Sequence, residues 1–173
     1  MVRVDLRAVQ GGPVEVAGVI EPGDPVLEGT DIVLGEPIRI QGRITAAGLG
    51  RYYWRGYLTT TVVSECRRCL REVRLRLDEP TELLFVMEDD AADDPAAYPI
   101  PEGTELLDLR EPIREELVLD APAFPLCRDD CAGLCAQCGT DLNTGTCDCR
   151  PAQDPRWAAL DALKGSLPGS EEN

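Results

Sequence analysis

Histidine is absent from the 173 residues of this chain. Its absence rules out histidine-based triads, imidazole general bases and imidazole metal ligands within the chain. A catalytic zinc site with three protein ligands would have to use Cys, Asp or Glu alone, which is unusual. Aromatic side chains are also scarce, with two Trp, two Phe and four Tyr. Aliphatic residues must therefore build most of the core. No apolar run approaches the roughly 20 residues that cross a bilayer as a helix. The start, Met1-Val-Arg-Val-Asp-Leu-Arg7, has no basic region followed by an apolar stretch, so no signal or transit peptide is expected. The expected location is the cytoplasm, with no membrane association.

What the chain has is negative charge and sulfur. The formal net charge is -15, and there are eight cysteines. In a reducing compartment, clustered cysteines indicate metal more often than disulfides. Eight thiols divide into two sets of four, and four thiolates around one ion make the closed tetrahedral site of structural zinc. Each such zinc adds -2, so two would bring the folded protein to -19. A molecule this acidic is repelled by nucleic acid on average, so any nucleic-acid contact needs a local basic patch.

Six of the cysteines lie between Cys127 and Cys149. Cys135-Ala-Gln-Cys138-Gly139 has the spacing of a zinc knuckle. Its two sulfurs face one point, and the following glycine lets the backbone turn beneath the ion. Leu142-Asn-Thr-Gly145 reads as a turn that brings back Cys147 and Cys149, whose i, i+2 spacing sets both sulfurs on one side. Site 1 is therefore assigned to Cys135, Cys138, Cys147 and Cys149. Site 2 takes the remainder, Cys66, Cys69, Cys127 and Cys131, although Cys66-Arg-Arg-Cys69 lacks the glycine. A rival partition joins Cys127, Cys131, Cys135 and Cys138. Disulfides, an iron-sulfur cluster and a redox-active Cys66/Cys69 pair are further alternatives, the last because Arg67 and Arg68 would lower a thiol pKa.

The fold is expected to be α+β and predominantly β. It would be an antiparallel meander or barrel-like sheet, with a small C-terminal zinc-ribbon-like module and short helices. Val14–Ile20 reads as a strand and 21–36 as loop. Ile38, Ile40 and Ile44 alternate with Arg39, Gln41 and Arg43, and Gly48-Leu-Gly50 follows as a hairpin turn. In Arg51–Val63, period two puts Tyr52, Trp54, Gly56, Leu58, Thr60 and Val62 on the core face. Val73–Leu77 and Leu83–Met87 read as two further strands. The acidic, proline-rich stretch 88–108 reads as a loop. Asp108-Leu-Arg-Glu111 resembles a capping box opening a helix that ends before Pro122, with Leu109, Ile113 and Leu117 on one face. A second helix is expected over 154–164, docked through Trp157, Leu160 and Leu163. The expected domains are 1–125, β-rich, and 126–165, cysteine-rich, followed by a disordered tail over 166–173.

Charge is segregated along the chain. From Pro37 to Leu77 there are nine arginines against Glu65 and Glu72, a net +7. Arg39, Arg43, Arg51, Arg55, Arg74 and Arg76 fall on the outward face of the expected sheet, with Tyr53 and Tyr57 among them. Arginine for phosphate and tyrosine for stacking is a combination used by sheet-surface RNA binders. Neutralisation of this face by acidic segments at 88–94 and 102–116 is the opposing expectation.

The order of motifs carries a further signal. It runs Glu65-Cys-Arg-Arg-Cys-Leu70, Asp108-Leu-Arg-Glu-Pro-Ile-Arg-Glu-Glu-Leu117, Pro125-Leu-Cys127, Gly133-Leu-Cys-Ala-Gln-Cys-Gly139, Asp141-Leu-Asn143, Cys147-Asp-Cys149 and Asp154-Pro-Arg-Trp157. This order resembles the bacterial YceD family, the large ribosomal RNA subunit accumulation proteins, over about residues 30–164. The resemblance implies a cytoplasmic, non-enzymatic factor for accumulation or processing of 23S ribosomal RNA during large-subunit assembly. The implied partners are ribosomal RNA or a pre-ribosomal particle, with no small-molecule substrate. The family's cysteines map onto all eight here, but the resemblance does not divide them between sites. A zinc-stabilised adaptor for a basic ribosomal protein, and a thiol-redox protein, are the two alternative functions.

Overall fold

Ile38, Ile40 and Ile44, spaced by even numbers, oblige Ile38–Ala46 to lie against a core on one side only. The same rule organises most of the sheet. In a computed structural model, which describes residues 2–88, 95–150 and 156, the elements run as follows. First come β1 (Arg3–Asp5), α1 (Leu6–Gln10), β2 (Val14–Ile20), a 3-10 turn (Pro25–Leu27) and β3 (Val33–Leu34). Then follow β4 (Ile38–Ala46), β5 (Arg51–Glu65), β6 (Glu72–Met87), β7 (Tyr98–Ile100), β8 (Leu106–Asp108) and α2 (Arg110–Asp120). The chain forms two compact units, Met1–Cys127 and Arg128–Asn173.

The first unit is built on a six-stranded sheet of order β2-β4-β5-β6-β7, with β3 pairing β5. The pair β1-β8 forms a second, two-stranded sheet. Among the described residues neither sheet closes, so the barrel-like expectation is corrected. The antiparallel expectation holds from β2 to β6, but β7 pairs β6 in parallel. Val73–Leu77 and Leu83–Met87 are one continuous strand, β6, which pairs β5 from Arg51↔Val86 to Glu65↔Glu72. Pro80 does not break it, because at that position β6 has β5 on one side and no strand on the other among the described residues. Part of the stretch expected as loop over 88–108 supplies β7 and β8. The expected loop at 89–94, the helix over 154–164 with Trp157, Leu160 and Leu163, and the tail over 166–173 lie outside the described residues.

The core sits on the face that period two selects. Ile38, Ile40, Ile44, Trp54, Leu58, Leu83 and Phe85 are buried, joined by Leu109, just before α2, and by Ile113 and Leu117 from α2. Gly42 and Gly56 are direct partners across β4 and β5. A Cβ on either would approach Trp54 Cζ2 to 2.7 Å and 2.5 Å. These two glycines make the space that the indole fills. Helix α2 starts at Arg110, two residues after Asp108, whose carboxylate accepts from the Arg110 N–H at 3.1 Å. The same carboxylate holds the Arg110 and Arg3 guanidinium groups. Burial raises the Asp108 pKa, but these donors outweigh it and bring it to about 2.

Candidate metal centres and the outward sheet face

Each C-x-x-C segment is shaped by its own backbone. In Cys66–Arg71, the Leu70 N–H donates to Cys66 O at 2.9 Å and the Cys66 N–H to Arg71 O at 2.8 Å. In Cys135–Thr140, the Gly139 N–H donates to Cys135 O at 2.9 Å and the Cys135 N–H to Thr140 O at 2.8 Å. Both turns close on a left-handed residue, Leu70 at φ 59° and Gly139 at φ 74°. The missing glycine therefore does not prevent the knuckle. Leu70 adopts the glycine conformation, at a cost of about 1–2 kcal/mol for an L-residue.

No disulfide joins the eight cysteines, whose sulfurs gather in two groups of four: Cys66, Cys69, Cys127 and Cys131, and Cys135, Cys138, Cys147 and Cys149. Within each group every sulfur lies within 4.8 Å of the others. Tetrahedral zinc with bonds near 2.3 Å needs sulfurs about 3.8 Å apart, and Cys69 and Cys127 stand at 3.6 Å. The donor set and spacing of both groups fit such an ion. In the first group Cys66, Cys69 and Cys131 are buried; in the second, Cys138 and Cys149 are exposed. The rival set Cys127, Cys131, Cys135 and Cys138 does not form a group.

Crowding of thiols has an electrostatic signature. The Thr140 hydroxyl and N–H bring Cys138 down to about 6, and the Cys138 and Gln137 N–H groups lower Cys135. Cys149 is pushed up to about 12, first by its hydrogen bond with Cys138. For Cys147 the Cys149 N–H pulls downward, but the Cys135 sulfur, burial and the Cys138 sulfur together outweigh it and the net shift is up. Burial pushes the Cys66 thiol up, yet backbone N–H groups of Cys69, Arg68 and Cys127 carry it down to about 6. Four adjacent thiols cannot all ionise unless a cation balances them.

Two supporting residues in the second unit escaped the sequence reading. Thr140 Oγ1 stands 3.1 Å from Cys138 Sγ. Asn143 Nδ2 donates to Cys131 Sγ at 3.5 Å. The available signal was their place between ligands, in a turn rich in Asp, Asn and Thr, residue types that hydrogen-bond locally.

The outward sheet face carries the arginines as expected, but most are paired. Arg43 meets Glu15 at 2.7 Å, Arg55 meets Glu82 at 2.5 Å, Arg74 meets Glu72 at 3.2 Å and Arg76 approaches Asp78 at 3.8 Å. Antiparallel register accounts for two of these, since Glu15 lies directly opposite Arg43 and Glu82 opposite Arg55; Glu72 and Asp78 lie two residues from Arg74 and Arg76 on the same strand and so on the same face. The neutralising acids therefore belong to the sheet itself. Among the described residues, no ion pair of Arg39 or Arg51 is seen. Arg55 also lies over Tyr53, 5.8 Å from the ring centroid, and Tyr57 is 57% exposed.

A mainly β chain with two groups of four cysteines, each able to hold a metal ion, is the class these observations define. Comparison with known proteins makes it particular. A family model described as "Large ribosomal RNA subunit accumulation protein YceD" matches residues 54–164, and the chain belongs to the YceD family. An uncharacterized protein of Mycobacterium tuberculosis is 37% identical over 112 residues, 64% of this chain and 54% of the relative. An uncharacterized protein of Mycobacterium leprae is 32% identical over 151 residues, 84% of this chain and 68% of the relative. A chloroplastic maize protein named large ribosomal RNA subunit accumulation protein YCED homolog 1 is 25% identical over 187 residues, 90% of this chain and 57% of the relative. The chain spans about half the length of the first of these relatives. No solved structure matches this chain. Among the described residues no helix is long and apolar enough to cross a membrane.

Proposed function

We propose that this protein is a non-enzymatic, cytoplasmic factor for 23S ribosomal RNA accumulation and large-subunit assembly, held in shape by two structural zinc ions. The single observation that carries the metal part is the gathering of eight cysteines into two tetrahedral-sized groups. Membership in a family named for large ribosomal RNA accumulation carries the ribosomal part. Each zinc would neutralise two thiolate charges of its group and tie chain segments together, so that binding energy becomes folding energy.

The RNA contact is assigned to the outward face of β4, β5 and β6, through Arg39, Arg43, Arg51, Arg55, Arg74 and Arg76 with Tyr53 and Tyr57. Exposed ion pairs contribute only about 0–1 kcal/mol, so phosphate can displace Glu15 or Glu82 at little cost. Arg51→Glu with Arg55→Glu should abolish binding to ribosomal RNA fragments at moderate salt. Unchanged binding removes this face from the reading.

The intra-sheet pairing of four arginines favours a second reading, an adaptor for a basic ribosomal protein. An open groove of about 730 Å³ is lined by Val33, Val63, Leu70 and Pro125 with Asp31 and Glu65, combining apolar walls with carboxylates. Cross-linking in cells with both sequencing and mass spectrometry separates RNA contact from protein contact.

A further inference from the structure

Asn143 lies on the turn between the second and third cysteines of the hairpin group, yet its amide serves a sulfur of the other group. Its oxygen accepts from the Ala132 N–H at 2.9 Å and from Arg128 Nη2 at 2.8 Å. Its nitrogen donates to Asp141 Oδ1 at 2.6 Å and to Cys131 Sγ at 3.5 Å. The amide orientation is fixed by chemistry, since two donors face the oxygen and two acceptors face the nitrogen. The backbone is equally determined. Leu134 bridges Asp141, Leu142 N–H donates to Gly133 O, and the Asn143 N–H donates to Asp141 Oδ1.

We infer that Asn143 is a positioning residue for the metal held by Cys66, Cys69, Cys127 and Cys131, and that it couples the two metal centres. The inference rests on the metal reading above. An N–H donated to a thiolate withdraws charge from sulfur and orients its lone pairs. Groups that hold ligands in this way typically alter metal affinity by 10–100-fold when removed. Asn143 can do this only while the Cys138–Cys147 segment is folded. A metal on Cys135, Cys138, Cys147 and Cys149 closes that segment, holds Asn143 in place and so strengthens binding at Cys131. The two metals therefore bind with positive cooperativity, and linkage makes the effect reciprocal.

The test uses the full chain loaded with cadmium, read by cadmium NMR and by the rate of cadmium loss to EDTA. Wild type should give two resonances in the four-sulfur range. Asn143→Ala should move one of them and speed loss of that cadmium about 10-fold or more. Asn143→Asp keeps the oxygen that holds Ala132 and Arg128 and removes the donor to sulfur; it should move the same resonance. A chain carrying Cys147→Ser and Cys149→Ser should bind its remaining cadmium more weakly, and adding Asn143→Ala there should change little further. Both Asn143 variants matching wild type in resonances and loss rates would overturn the inference. An equal effect of Asn143→Ala with and without the hairpin metal would overturn the coupling. Wild type taking up fewer than two cadmium ions would instead defeat the metal reading itself.

Discussion

The two C-x-x-C turns have nearly the same backbone and different surroundings. Both close with the same pair of hydrogen bonds on a left-handed residue. One has glycine there; the other has Leu70, 60% exposed. Cys66 and Cys69 are buried, whereas Cys138 is exposed. The hairpin group draws its four sulfurs from 15 consecutive residues, Cys135 to Cys149, while the other group joins Cys66 and Cys69 to cysteines about sixty residues away. Two similar local turns thus serve unequal purposes. One gathers with cysteines of its own short segment, and the other with cysteines far along the chain.

The largest effect separates the groups directly. Cys69→Ser should remove a ligand from the buried group and reduce stability by several kcal/mol, since structural zinc sites contribute about 10–16 kcal/mol of apparent binding energy. Thermal unfolding by circular dichroism should show it. Cys138→Ser should lower the zinc count from two to one per chain while leaving the β-sheet signal in place. Equal losses from both variants would erase the distinction.

A smaller effect tests the turns themselves. Gly139→Leu places a side chain at φ 74° with no steric obstacle within 4 Å, so the expected destabilisation, about 1–2 kcal/mol, is backbone strain alone. If the loss is much greater, the two turns are not equivalent.

Asp108 provides a control remote from sulfur. Its folded pKa, near 2, lies below the unfolded value of about 4. Its contribution is therefore fully present above about pH 4 and is lost as pH falls toward 2. Asp108→Asn should lower the melting temperature at pH 7 by an amount equivalent to about 1 kcal/mol. That difference should vanish as the pH falls from 4 to 2. Acid unfolding above pH 4 must then come from other groups, thiolates included.

The smallest expected change is at Leu70. Leu70→Gly relieves about 1–2 kcal/mol of left-handed strain but adds roughly 0.5–1 kcal/mol of unfolded-state entropy. A melting temperature unchanged or slightly raised is expected. A clear loss would mean that the exposed leucine contributes contacts to the folded chain.

Much of the sheet was legible because period-two patterning is local. Tyr52, Trp54, Leu58, Thr60 and Val62 are buried as the alternation required. So was the helix with Ile113 and Leu117 inward, although Leu109 caps it and does not belong to it. The union of Val73–Leu77 with Leu83–Met87 was not legible, because proline at position 80 reads as a break unless the neighbouring strand is known to end. Strands β7 and β8 were hidden in a proline-rich stretch, since three-residue strands carry no usable period. Among the candidate site residues, the arginines faced outward as read, but the acidic partners of Arg43 and Arg55 depend on register.

Sequence alone determined the two knuckle turns. Cysteine spacing and the backbone hydrogen bonds that close C-x-x-C act over six residues and need nothing distant. It also determined that no histidine could join them. Tertiary structure decided the rest. It determined that Cys66 and Cys69 would be buried, that Arg43 and Arg55 would face acids, and that Asn143 would reach Cys131. These outcomes depend on strand register and on pairing between segments far apart in the chain. Such pairing is set by the whole core and not by any local run of residues.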